Sequence, residues 1–162
     1  MERVSKRNYY LDIAQTVLER ATCLRRVYGA IIAKNDEIIS TGYNGAPRGR
    51  KNCVDLGYCT REQLKVPRGE RYELCRSVHA EANAIIAAPR TEMLGATLYM
   101  CCTSPHDGAV MPDTSNCMMC KRMIINAGIE WVVIRDTKDT YRKIAVADWL
   151  ENDDSLGTAL GY

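Results

Sequence analysis

Two short motifs, far apart in the chain, constrain its fold more than any other feature. His79 and Glu81 open the run HAEANAII, and Cys117 and Cys120 form a C-x-x-C pair that opens the run CMMCKRMIINA. One imidazole and two thiolates make three ligands for a zinc ion, and three protein ligands leave a fourth position open, as in catalytic zinc sites. A fold that uses all three must bring two separate segments together, with Glu81 beside the metal.

Each motif alone is weak. An isolated C-x-x-C is more often a redox pair or half of a structural zinc site, and an isolated H-x-E occurs by chance. Together they favour one metal site, because each lies at the start of a predicted helix, where the partial positive charge favours thiolates. At a helix start His79 can hold zinc while Glu81, two residues on, reaches a metal-bound water and moves its proton.

The length of 162 residues predicts one compact domain over residues 1–162, with a core at about 7–135 and a C-terminal helix at about 140–150. A net charge of +2 is too small for binding along a nucleic acid, so nucleic acid is not an expected partner. The sequence shows no apolar run long enough to cross a membrane and no signal peptide. We therefore predict a cytoplasmic protein, in which the eight cysteines are free thiols or metal ligands.

The first half of the chain combines a helix, a hairpin and a long irregular stretch. Helical spacing of apolar residues predicts a helix from about Arg7 to Ala21. Two β-rich runs, Val27–Ala33 and Glu37–Tyr43, flank an Asn-Asp turn and predict a hairpin. The segment from Asn44 to Arg76 has no clear period, and loops of this length in compact domains are often functional.

The second half alternates helices and strands. The predicted elements are a helix capped by Ser77 and ending near Ala88, a strand at Thr97–Cys102, a helix capped by Asn116 and ended by Gly128, a strand at Ile129–Ile134, and a helix at Tyr141–Leu150. The order α-β-β-α-β-α-β-α predicts an α/β fold, a three-layer α/β/α sandwich with a mixed central sheet.

Four stretches carry a resemblance to a known family: GAII at residues 29–32, TGYNGAPRG at 41–49, HAE at 79–81, and the run from Cys117 through Ile129. On these residues the chain resembles the cytidine/deoxycytidylate deaminase family, over roughly Tyr10 to Ile134. The GYNGAPRG run is most similar to members that act on deoxycytidylate (dCMP). It separates the chain from tRNA- and riboflavin-pathway relatives that share only the zinc motifs.

The resemblance implies a cytidine deaminase-like fold and hydrolysis of dCMP to dUMP and ammonia, which supplies dUMP for thymidylate synthesis. It implies that three side chains hold catalytic Zn²⁺ with water as fourth ligand: His79, Cys117 and Cys120. Glu81 then carries a proton from that water to the pyrimidine N3. Asn44 is expected to contact the nucleotide, and the main-chain N–H of Ala80 to hold the pyrimidine carbonyl.

The substrate phosphate needs donors, and four arginines are candidates: Arg25, Arg26, Arg48 and Arg50. We choose Arg26 because it precedes the first strand near Asn44. Many members of the family are oligomers that are activated by dCTP and inhibited by dTTP with Mg²⁺. The resemblance therefore also implies a homo-oligomer with nucleotide effectors, and no membrane partner.

The chain departs from the family pattern at two places. Asn116 stands where the family usually has proline before the first cysteine, and the stretch CCTSPHDGAVMPDTSN lengthens the approach to the cysteines.

Three more thiols, Cys53, Cys59 and Cys75, either hold a structural zinc or are free, and their spacing fits no standard zinc pattern.

Two other functions remain open at this point. One is a deaminase of another cytosine nucleotide or of a base in a nucleic acid. The other is a catalytically degenerate nucleotide-binding sensor, which Asn116 favours and the intact Glu81 opposes.

Overall fold

The computed structural model of the protein describes residues 1–153, so residues 154–162 of the predicted domain lie outside the described part. The helices are α1 Lys6–Val17, α2 Cys53–Leu56, α3 Thr60–Gln63, α4 Ala80–Ile86, α5 Arg90–Met93, α6 Met118–Ala127 and α7 Val146–Glu151. The strands are β1 Val27–Lys34, β2 Glu37–Tyr43, β3 Thr97–Thr103, β4 Trp131–Arg135 and β5 Tyr141–Ala145. The described 3₁₀ turns are Leu18–Arg20 and Tyr72–Leu74.

The strands form one mixed sheet in the order β2-β1-β3-β4-β5. β1 runs antiparallel to β2 and β3, β4 runs parallel to β3, and β5 runs antiparallel to β4. The β1–β2 hairpin turns through Asn35 and Asp36, whose φ angles of 52° and 64° suit a tight hairpin turn. The parallel β3–β4 pair needs a crossover connection, and α6 supplies it.

Helices cover both faces of the sheet, because alternate residues along a strand point to opposite sides. In β1, Ile31 and Ala33 belong to the core cluster that contains α1 side chains. Ala30 and Ile32 belong to the other cluster, with side chains of α4, α6 and α7. The predicted three-layer α/β/α sandwich with a mixed sheet is confirmed.

The helix predicted for Tyr141–Leu150, the C-terminal helix at about 140–150, is wrong over its first half. Tyr141–Ala145 is strand β5, and only Val146–Glu151 is helical. A tight turn precedes β5, in which the Asp136 N–H donates to the Thr140 carbonyl at 2.9 Å. That turn brings the chain back onto the open edge of β4, and pairing along this edge overrides the helical spacing.

The cap predicted for α4 is also wrong, because the N-cap residue is His79 and not Ser77. Val78 donates to the Gly45 carbonyl at 2.7 Å and accepts from the Gly45 N–H at 3.2 Å, so this segment is extended. The helix then ends at Ile86, before the predicted end. As a consequence, His79 lies immediately before the first turn of α4.

The cap predicted for α6 is wrong in the same way. Cys117 is the N-cap residue, and the Asn116 side chain makes no capping bond. Gly128 ends the helix in the left-handed conformation, with φ of 77°, as predicted. His79 and Cys117 therefore hold equivalent positions, each one residue before the first turn of its helix.

Within residues 1–153, no helix combines the length and the apolar character that crossing a bilayer requires.

Candidate metal centre and active site

Three metal-ligating side chains meet where α4 and α6 begin. Cys117 Sγ and Cys120 Sγ each lie 3.4 Å from Nδ1 of His79, and the three ligand atoms lie within 4.8 Å of one another. Ligands of one tetrahedral zinc ion, at the usual Zn–N and Zn–S lengths, stand about 3.6 Å apart. The donor set and its spacing therefore fit a zinc ion. Among the described residues, no other group of three or more His, Cys, Asp and Glu is so placed.

Without a metal, the protons of these side chains are coupled. Burial disfavours a charged His79, but hydrogen bonds with Cys117 and Cys75 outweigh burial and raise the pKa of His79 to about 11. The hydrogen bond between the two sulfurs lowers the pKa of Cys117 and raises that of Cys120. Because zinc binds thiolates and neutral imidazole, metal binding must release these protons.

The segment before α4 holds the imidazole ring in place. The His79 ring hydrogen-bonds with the Cys75 side chain, a contact of the kind that orients ligating histidines. Tyr72 packs edge-on against the same ring, with centroids 5.5 Å apart. The Arg61 guanidinium lies 4.4 Å from the Tyr72 ring centroid and donates to the Pro67 carbonyl at 3.1 Å. Arg61 is only 5% exposed, so it anchors this segment over the metal ligands.

Glu81 lies in the first turn of α4, where it is buried and faces the cavity described below. Its Oε1 accepts a hydrogen bond of 2.7 Å from Nδ2 of Asn116. The carboxylate also hydrogen-bonds with the Cys120 side chain. Glu81 therefore lies directly beside the three candidate metal ligands without belonging to their group, a position that would allow a carboxylate to move protons.

The metal ligands open onto a cavity of about 290 Å³. Four arginines and one carboxylate line it: Arg25, Arg26, Arg61, Arg68 and Glu81. The excess of positive charge suits an anionic ligand, since arginine is well matched to phosphate and carboxylate groups. The cavity is near the lower end of the volume range of small-molecule sites.

The predicted phosphate donors fall into two groups. Arg25 and Arg26 line the cavity, whereas Arg48 and Arg50 are outside its lining. Arg25 is engaged in an ion pair of 3.1 Å with Glu62. Arg26 is half-buried, and of the predicted arginines it is the one best placed to donate into the cavity.

Asn44 lines the cavity, but its side chain is bonded within the protein. Its Oδ1 accepts from the Tyr28 N–H at 2.8 Å, and its Nδ2 donates to the Arg26 carbonyl at 3.0 Å. Asn44 thus fixes the main chain around Arg26, at the entry to β1. Ala80 is buried as the first residue of α4, so its N–H is one of the donors without a partner inside the helix.

Sequence reasoning missed Arg61, Arg68 and Tyr72. All three lie in the segment from Asn44 to Arg76, which is predicted to be functional, although its lack of period gives no means of selecting residues within it. The available signal was an arginine-rich stretch leading into His79. Arg68 is exposed at the cavity, and no residue among 1–153 forms a hydrogen bond or ion pair with its side chain.

The three loop cysteines do not form a second metal-ligand group among the described residues. Cys53 is buried, and burial raises the pKa of its thiol. Cys59 and Cys75 are half-buried and line the cavity. None of the three forms a disulfide among the described residues.

One imidazole and two thiolates beside an unligated carboxylate, carried on a helix-covered mixed sheet, define the class of zinc-dependent nucleobase deaminases. Residues 4–135 match the family model described as the cytidine and deoxycytidylate deaminase zinc-binding region. The chain belongs to this family.

Individual relatives are consistent with this family assignment. A deoxycytidylate deaminase of Mycobacterium phage D29 is 35% identical over 138 residues, which cover 82% of this chain and 96% of the phage protein. A deoxycytidylate deaminase of Schizosaccharomyces pombe is 33% identical over 131 residues, 81% of this chain but only 37% of the yeast protein. The dCMP deaminase of cyanophage S-TIM5, crystallised with dCMP and dUMP, is similar at 26% identity with a TM-score of 0.57, covering 83% of this chain and 84% of that one.

Proposed function

We propose that the protein is a zinc-dependent hydrolase that converts dCMP and water to dUMP and ammonia. The observation that carries the proposal is the group of His79, Cys117 and Cys120 at ligand spacing, with Glu81 buried beside it at an arginine-lined cavity. The relatives named deoxycytidylate deaminase support dCMP as the substrate.

The chain's own residues then have distinct roles. A bound zinc ion supplies a water whose pKa is lowered toward neutrality. Glu81 takes a proton from the attacking water and delivers it to N3 of the pyrimidine. The water oxygen bonds to C4, the C4–N4 bond breaks, and Glu81 helps to protonate the departing ammonia. The Ala80 N–H, free at the start of α4, holds the pyrimidine carbonyl.

The arginines recognise the 5′-phosphate of the substrate. Arg26 lies within the cavity, where it hydrogen-bonds with the Tyr28 side chain, and Arg68 at its rim has an uncommitted guanidinium among the described residues. Arg25 is paired with Glu62, and Arg61 is bonded to main-chain carbonyls, so both are less free to bind phosphate. Arg68, together with Arg26, whose partner is a tyrosine and not an acid, suits the two negative charges of a nucleoside monophosphate.

Assembly, regulation and location belong to the same proposal. The family resemblance supports a homo-oligomer whose activity responds to dCTP and dTTP with Mg²⁺. Eight cysteines without a disulfide, two of them in the proposed zinc site, support a reducing, cytoplasmic location.

The test is ammonia release by the purified, zinc-loaded protein on dCMP, dCTP, CMP, deoxycytidine and a cytosine-containing single strand. We expect dCMP to be the best substrate and Glu81→Gln to lower kcat by about 10²–10⁴-fold, because the proton carrier is lost. Adding dCTP or dTTP with Mg²⁺ and measuring the mass in solution tests the regulatory and oligomer proposals.

The matched control is Glu92→Gln, which changes an exposed glutamate on α5 and should leave kcat unchanged. Absence of dCMP turnover by protein that carries one zinc per chain would contradict the proposal. Turnover of another substrate in the panel would then identify the alternative deaminase, and nucleotide binding without any turnover would identify the sensor.

A further inference from the structure

Asn116 has a side chain placed where the family usually has proline, and that side chain faces Glu81. Its Nδ2 donates to Glu81 Oε1 at 2.7 Å and lies 3.6 Å from Met100 Sδ. Both neighbours are acceptors, so the amide must point its N–H group, and not its oxygen, at the carboxylate. Asn116 is only 4% exposed and is not among the cavity-lining residues, so it does not touch a ligand there.

From this contact we infer that Asn116 is a positioning residue for Glu81. The inference rests on the proposed function. With Oε1 held by Asn116, the carboxylate has one orientation, and Oε2 is the oxygen that accepts and returns the proton. A fixed general base keeps its proton-accepting oxygen in the productive geometry, which lowers the barrier of the chemical step. A proline at this position has no donor and could not make the bond.

The rest of the Asn116 side chain points to the same role. Its Oδ1 is buried without a hydrogen-bond partner among the described residues, so the amide is only half satisfied. It also does not cap α6, because Cys117 occupies the N-cap position. A buried amide with one unpaired oxygen is a poor stabilising device. Its specific contribution is the bond to the Glu81 carboxylate.

The backbone that carries Asn116 is anchored independently of Glu81. The Asp113 N–H donates to Asp136 Oδ1 at 3.0 Å, and Arg142 donates to the Thr114 carbonyl. Replacing the Asn116 side chain should therefore leave this segment and the cysteine ligands in place. This separation makes the inference testable by substitution.

The first test uses Asn116→Leu and Asn116→Pro, which both remove the donor: Leu has the same number and branching of side-chain heavy atoms as Asn, and Pro is the residue usual in the family. We expect kcat on dCMP to fall at least tenfold in both variants, with KM and the dUMP dissociation constant within about twofold of wild type, because only transition-state interactions are lost. Zinc per chain should remain at one. Asn126→Leu, at an exposed position of α6, is the matched control and should retain wild-type kcat.

The second test does not depend on activity. Asn116→Asp places a second carboxylate against Glu81 and should lower the thermal unfolding midpoint. Adding Glu81→Gln exchanges the amide and the carboxylate, which restores a hydrogen bond and should recover most of that loss. Additive shifts in this double-mutant cycle would show that the two side chains do not interact.

The outcomes separate the two levels of the argument. Wild-type protein without dCMP turnover would overturn the proposed function, while the unfolding cycle would still report on the contact. An active wild type with Asn116→Leu and Asn116→Pro equally active would overturn the positioning role alone. A parallel loss of kcat and zinc would assign Asn116 to metal retention instead, which also overturns it.

Discussion

Gly42 lies where β2 passes beneath α4, and its lack of a side chain sets the distance between them. A Cβ at this position would lie 2.3 Å from the Ala80 carbonyl oxygen and 2.4 Å from the Ala84 N atom. Both are backbone atoms of α4, so the helix itself would have to move. Ser40, two residues earlier, donates to the Ala84 carbonyl at 2.7 Å and ties the helix to the same strand.

We expect Gly42→Ala to lower the free energy of unfolding by about 1–3 kcal/mol, the usual cost of overpacking. It should also lower kcat/KM, because α4 carries His79 and Glu81. Urea unfolding and dCMP turnover measure both effects. Gly108→Ala is the control: Gly108 has φ of 71° and nothing within 4 Å of its Cβ position, so only backbone strain is added. Wild-type stability and activity in Gly42→Ala would contradict the argument.

Among single residues, the sequence predicts well which side chains converge at the site, but it does not predict the contacts that position them. The residue types and the motif spacing were enough to predict that His79, Cys117 and Cys120 converge, because one histidine and a C-x-x-C pair together supply the three protein ligands of a catalytic zinc site. The contacts of Asn116 and Arg61 could not be predicted. Asn116 contacts Glu81, which is 35 residues away in the sequence, and Arg61 contacts Tyr72 within a segment that has no period from which their approach could be predicted.

At the level of elements, the helices and strands with clear periodicity were predictable, and the failures occurred where pairing decides the structure. β1 and β2 follow from two β-rich runs around an Asn-Asp turn. β5 does not, because the edge of β4 imposes a strand on residues with helical spacing. The start of α4 was misplaced for a similar reason, since Val78 pairs with Gly45.

The β4–β5 turn is linked to the segment before α6 by one carboxylate. Asp136 accepts from Arg142 at 2.8 Å and from the Asp113 N–H at 3.0 Å. The Arg142 hydrogen bond, with help from Asp113, holds the pKa of Asp136 below its ordinary value of 3.8. The folded state therefore favours the ionised carboxylate, and this stabilisation is present above the unfolded pKa.

We expect Asp136→Asn to lower stability at neutral pH, with a deficit relative to wild type that shrinks as the pH falls below 3.8. The sign follows because protonation of Asp136 in wild type removes the same interaction. Chemical denaturation from pH 2 to 7 measures it, with Asp139→Asn, an exposed position of the same turn, as control. A deficit that is constant with pH would show that the carboxylate charge does not contribute.

At the scale of the whole molecule, the candidate metal site joins two segments that are far apart in the sequence. The three candidate ligands lie at the starts of α4 and α6, and the chain between them contributes β3, which pairs with β1 in the sheet. The two core clusters consist of apolar side chains on both faces of the sheet, and neither contains His79, Cys117 or Cys120. Zinc is thus expected to add to stability and not to create the fold.

Removing zinc with a chelator should therefore lower the thermal unfolding midpoint while the far-ultraviolet circular dichroism of the native state persists. At a free zinc concentration 100 times its dissociation constant, bound zinc stabilises by about 2.7 kcal/mol. Cys117→Ser should abolish most of the chelator-dependent shift, whereas Cys59→Ser, outside the ligand group, should preserve it together with one zinc per chain. Unfolding of the native state on chelation would contradict this prediction, because it would show that the fold requires zinc. A second zinc in the wild type that is lost in Cys59→Ser would show that the loop cysteines bind a metal.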